Sequence, residues 1–154
     1  MKAIILSALL LTIAAAHATP PPGWTDDYAK AVEKAKTEKK NLLLDFTGSD
    51  WCGYCIALDK EVFSTPAFKS WAKQNVVLVQ VDFPHTKKLS PKVKTQNDEL
   101  KSKYPTGGYP TVIITDPDGK LITKKTGYKP GSGPKAYIEA LGGTNAAAGT
   151  AAAK

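Results

Sequence analysis

The apolar run Leu42-Leu43-Leu44-Asp45-Phe46 is followed, four residues later, by Trp51-Cys52-Gly53-Tyr54-Cys55. The run reads as a buried strand, and apolar positions at Ile56, Leu58 and Val62 read as the helix that takes over from it. The two cysteines therefore sit where a strand hands over to a helix. They are the only cysteines in the chain, so they cannot belong to a larger disulfide framework. A pair with two residues between them closes a small ring with little backbone movement. Such a ring constrains too little of the unfolded chain to serve as a staple, which points to a dithiol that cycles.

The N-terminus reads as an export signal over residues 1–18. Met1-Lys2 gives a positive start, Ala3 to Ala15 is almost wholly apolar, and Ala16-His17-Ala18 has the small-x-small form of a cleavage site. The stretch is short for a membrane span. The mature chain is then expected to begin at Thr19 and to work in the periplasm or outside the cell. All 21 basic residues are Lys, giving a net charge of +7. Without arginine, the bidentate base and phosphate contacts of nucleic-acid readers are missing, so no nucleic-acid partner is expected.

The expected organisation is a Pro-rich, extended leader over 19–23, one domain over 24–143, and an Ala/Gly tail over 144–154 with little to bury. Thr25 is placed as the cap of a first helix with Asp26 and Asp27 in its first turn, and Asn41 as its end. Thr65-Pro66 opens another helix. Val76 to Phe83 reads as a second central strand. A Lys-rich connection, His85 to Thr95, leads to a short helix around Asn97 to Tyr104. Thr111 to Thr115 and Lys120 to Lys124 are strands joined by the turn Asp116-Pro117-Asp118-Gly119. Pro134 opens the last helix. This order predicts an α/β fold with a central mixed sheet of about four strands flanked by helices.

Three ordered segments resemble the thioredoxin superfamily: Leu44-Asp45-Phe46 with Trp51-Cys52-Gly53-Tyr54-Cys55, then Val79-Gln80-Val81-Asp82, then Tyr104 to Thr111. The resemblance spans Trp24 to Leu141. It implies that Cys52 is the attacking cysteine and Cys55 the resolving one, with no cofactor. It makes Pro110 a cis proline that presents neighbouring backbone to substrate, and Asp45 a buried acid that moves the proton of Cys55. Trp51, Tyr54 and Tyr109 join Pro110 as the expected substrate surface. Asp45 lies seven residues before Cys52, where thioredoxins have six. Gly48-Ser49-Asp50-Trp51-Cys52 is more similar to a branch of exported bacterial proteins that includes the DsbH-type oxidoreductases. The lysine that thioredoxins place near the acid aligns with Leu78, and the proline of their active-site helix with Lys60. Asp50 is read as a cap on the cysteine helix, and His85 as a solvated loop residue.

The expected function is exported thiol–disulfide exchange, most simply reduction of disulfides in extracytoplasmic proteins by a monomer. The resemblance implies recharging by a membrane thiol transporter of the DsbD type. Gly53-Tyr54 resembles the central pair of DsbC-type isomerases, so isomerisation or oxidation with the same residues stays open. A non-catalytic binding or chaperone module also remains. A metal carrier lacks support, since no Met or His cluster stands near the two thiols to complete a site.

Overall fold

The computed structural model describes residues 19–143. The expected export signal and the expected Ala/Gly tail from residue 144 lie outside the described residues. The elements are β1 (Trp24–Thr25), α1 (Tyr28–Glu38), β2 (Asn41–Thr47), α2 (Gly53–Leu58), α3 (Pro66–Asn75), β3 (Val76–Asp82), α4 (Pro91–Lys103), β4 (Thr111–Thr115), β5 (Leu121–Thr126) and α5 (Gly133–Ala140). A π-helical turn over Asp59–Phe63 continues α2. They form one five-stranded sheet in the order β1-β3-β2-β4-β5. β2 pairs with β3 in parallel and with β4 antiparallel, so the sheet is mixed.

β2 is buried along its whole length, as a central strand covered on both faces must be. Side chains alternate between faces. Leu42, Leu44 and Phe46 pack with Ala31 and Ala35 of α1 and with Leu100 of α4. Leu43 faces the other way, into the cluster holding Leu58, Phe63, Phe68, Trp71 and Tyr137. Burial of each such large apolar side chain is worth about 1.5–3 kcal/mol. The same alternation sends Asp45 to the Leu43 face, where the cysteine helix lies.

Several elements begin or end away from their expected positions, each for a local reason. Asp27, not Thr25, caps α1 by accepting the Lys30 N–H at 3.1 Å, while Thr25 Oγ1 accepts the Asp27 N–H. Thr25 is instead half of β1, which exists by pairing Trp24 and Thr25 with Leu78 and Val79. That pairing adds the fifth strand. The leader is turned and not extended: the Trp24 N–H donates to Pro21 O, with Gly23 at φ 89° in the left-handed region that such a turn requires. α1 ends at Glu38 with left-handed Lys39 beyond it, and Asn41 opens β2. α4 starts at Pro91, capped by Ser90 Oγ, so half of the Lys-rich connection is helix.

Candidate active site

Cys52 and Cys55 are joined in a disulfide with Cα atoms 5.2 Å apart. Cys52 has extended backbone geometry (φ −85°, ψ 102°) and is itself the N-cap of α2. Its Sγ accepts the Cys55 N–H at 3.3 Å, taking the place that a Ser or Asp oxygen fills in an ordinary cap. A helix N-terminus favours negative charge, so this position supports a thiolate on Cys52. Cys52 keeps 7% of its surface and Cys55 4%. Tyr54, in the first turn of α2, is 61% exposed.

Asp45 lies behind the disulfide. It is 6% exposed, and its Oδ1 has no hydrogen-bond partner among the described residues. Burial pushes its carboxyl well above the usual range, and the nearby charges of Asp59 and Asp82 push it further. A cavity of about 210 Å³ brings Asp45 together with Cys55, Asp59, Gln80 and Asp82. Gln80 shares the space because it pairs in register with Asp45 across the parallel strands. Leu78, aligned with the family's lysine, packs against the apolar cluster instead.

The seven-residue spacing between Asp45 and Cys52 has a structural use. Ser49 donates its N–H and its hydroxyl to the Asp82 carboxylate, at 2.9 and 2.6 Å. Asp50 does not cap α2. Its carboxylate accepts the N–H groups of His85, Thr86 and Lys87 and the Thr86 hydroxyl, at 2.6–3.1 Å. The Thr86 hydroxyl and these N–H groups hold Asp50 well below the usual carboxylate range. The segment between β2 and α2 thus pins the loop after β3. A lowered carboxyl contributes stability that is present above the unfolded value of about 3.9 and lost as pH falls below it. We therefore expect the difference in melting temperature between the parent and Asp50→Asn to be largest above pH 5. It should shrink steadily towards pH 2; a difference constant with pH would contradict this role.

The pinned loop builds the surface beside the disulfide. Trp51 is 41% exposed, and its indole N–H donates to Phe83 O at 2.8 Å. His85, exposed but not free in solvent, stacks on Trp51 with centroids 4.5 Å apart and planes 6° from parallel. Tyr109 meets Trp51 edge-on at 5.7 Å. The Tyr109–Pro110 bond is cis and Pro110 is buried. Trp51, His85 and Tyr109 thus form one aromatic surface that begins at the residue before Cys52. Gly48 makes room for the indole: a Cβ there would lie 2.6 Å from Trp51 Nε1 and Cζ2. Gly48→Ala is expected to displace Trp51 and cost roughly 1–3 kcal/mol, read as a lower melting temperature and a lost near-UV tryptophan signal.

Sequence reasoning missed Ser49, Asp82 and Asp59 as neighbours of the site, and His85 as part of its surface. Only Asp82 carried a signal, since it closes the segment Val79-Gln80-Val81-Asp82. Among the described residues no cluster of three or more His, Cys, Asp or Glu is arranged to hold a metal.

Comparison with known proteins agrees with this geometry. A family model described as a thioredoxin-like domain matches residues 28–142. The disulfide bond reductase DsbH of Chlamydia pneumoniae is 35% identical over 113 residues, covering 73% of this chain and 67% of that protein. The thioredoxin-related protein DsbJ of the same organism is 32% identical over 124 residues, which are 79% of this chain but 36% of DsbJ. A solved structure of a DsbH oxidoreductase superposes with a TM-score of 0.72 at 31% identity, over 92% of this chain and 95% of that one.

Proposed function

Because this chain belongs to the thioredoxin-like family and is a Dsb-type thiol–disulfide oxidoreductase, we propose that it acts as an exported reductase of protein disulfides. In the reduced protein, Cys52 thiolate attacks one sulfur of a client disulfide. The Cys52–client bond forms, the client S–S bond breaks, and the other client sulfur leaves as thiolate. Cys55 then passes its proton to Asp45 and attacks Cys52 Sγ. The Cys52–Cys55 bond closes and the second client sulfur is released. Two electrons pass to the client, and an external dithiol must return them; a membrane transporter of the DsbD type suits that task.

The observation that carries the direction is the acidic surrounding of Cys55, which disfavours the second thiolate of the reduced pair. One backbone N–H, at 3.3 Å, reaches Cys52 Sγ. Around Cys55 stand Asp45, Asp59 and Asp82, all of which oppose negative charge. Strong oxidants of this chemistry have a stabilised reduced form. A pair whose reduced form is poorly stabilised gives its electrons away. Export rests on Met1-Lys2, the apolar Ala3 to Ala15 and Ala16-His17-Ala18.

The test is turnover. With dithiothreitol as electron source, the protein should speed reduction of insulin disulfides by about tenfold or more over dithiothreitol alone, as a positioned pair of thiols would provide. No acceleration would leave a binding module as the better account.

A further inference from the structure

The aromatic surface beside the disulfide continues into a groove of about 480 Å³ between the loop after β3 and α4. Trp51, Phe83, His85 and Tyr109 provide its apolar walls. Phe83 and Tyr109 lean together at 5.7 Å, and Lys101 Nζ sits over both rings, 5.0 and 5.2 Å from their centroids. Lys87 and Lys94 also reach the groove, as do Asp82 and Asp98.

The charges do not cancel. Asp98 is paired with Lys94 at 2.7 Å, whereas Asp82 is buried and accepts from Ser49, a neutral partner that leaves its charge in place. Lys87 donates to the neutral Ser49 hydroxyl at 3.2 Å. Neither Lys87 nor Lys101 has an ion pair among the described residues. The groove's lysines, Lys87, Lys94 and Lys101, outnumber its carboxylates, Asp82 and Asp98, and the two lysines without an ion pair flank an aromatic wall that begins at the residue before Cys52. The apolar walls suit the stem of a side chain, and the lysines suit a carboxylate at its end.

We infer that this groove binds an acidic segment of the client polypeptide next to the client's disulfide, with Lys87 and Lys101 as its specificity-determining residues. This rests on the thiol–disulfide reading above, since it names the clients that the same site prefers. Lys101, held by two rings, is pre-positioned and loses little freedom on binding. The commitment to an acidic occupant follows from charge complementarity.

The test uses the full chain and two fluorescein-labelled peptides, with serine in place of the client cysteine and either two Glu or two Lys residues beside it. Binding is read by anisotropy, so it does not depend on redox activity. We expect the Glu peptide to bind about tenfold more tightly at low ionic strength, with the ratio approaching one at high salt. In Lys87→Gln/Lys101→Gln the ratio should fall to about twofold or less. Lys69→Gln/Lys73→Gln, which removes the same charge from α3 outside the groove, should retain it. The ratio is internal to each protein, so partial unfolding cancels. No preference in the parent, or an equal loss in both double variants, overturns the inference. Cysteine-containing versions of the two peptides, joined as disulfides, then report turnover separately. Selective binding without turnover would refute the reductase while leaving the groove intact.

Discussion

Cys52→Ser is expected to abolish disulfide turnover, whereas Cys55→Ser should stop the reaction halfway, with client covalently held on Cys52. The difference follows from position. Cys52 caps α2 and borders the exposed Trp51, so its sulfur is the one a client reaches first. Cys55 lies one turn deeper, 4% exposed, and faces the acid cavity. In the proposed cycle its thiol attacks the mixed disulfide from inside. Removing it leaves the first exchange intact and the second without a nucleophile. The loss in either variant should be at least about a hundredfold, because water does not replace a positioned thiolate. Non-reducing gels separate the two cases: Cys55→Ser should accumulate a client adduct that dithiothreitol releases, and Cys52→Ser should not. The reverse pattern would interchange the roles.

The second large effect concerns Asp45. Asp45→Asn keeps the shape of the side chain but removes the group that accepts the Cys55 proton in the proposed cycle. Resolution of the mixed disulfide should slow by about tenfold to a hundredfold near pH 7, within the range for general acid–base catalysis. The deficit should close as pH rises towards the ordinary thiol value of about 8.5, where the proton leaves without help. Stability should move the other way. Burial, and then Asp59 and Asp82, raise the Asp45 carboxyl in the folded chain above its unfolded value of about 3.9. The folded state therefore holds a proton that the unfolded state has released. Stability is lost as pH climbs from about 4 through the folded value. Relative to the parent, Asp45→Asn should gain stability across that window and show no pH-dependent gain below it. Urea unfolding at a series of pH values checks the slope. A parent and variant with parallel pH dependence would mean that Asp45 is not the buried acid.

What sequence could reveal here follows from how local each feature is. The buried run of β2 and the cysteine turn are contiguous and legible, whereas the buried position of Asp45 was implied by the family resemblance. The order of elements supplied the mixed sheet and the strand-to-helix position of the cysteine pair, whereas Trp51 and Tyr109 were named only through the family resemblance. β1 was not legible, because two residues carry no periodicity and Trp24–Thr25 becomes a strand only against Leu78 and Val79. The start of α4 was: Ser90-Pro91 is a cap followed by proline at the first helical position. Its many lysines and only two buried residues, Asn97 and Leu100, disguised it as a loop. Asp50 shows the limit most clearly. Next to a helix start it reads as a cap, yet its partners are 35–37 residues away in the chain. The same long-range bonds bring His85 onto Trp51. A loop read as solvated becomes part of the aromatic surface beside Cys52.

The most direct measurement is the reduction potential of the Cys52–Cys55 pair, by equilibration with glutathione. The acidic surrounding of Cys55 disfavours the second thiolate of the reduced pair, so the expected value is about −270 mV or lower, at or below thioredoxin's. A value between about −180 and −120 mV would contradict the account. It would mean that the reduced form is the favoured one, and that the protein isomerises or makes disulfides instead of breaking them.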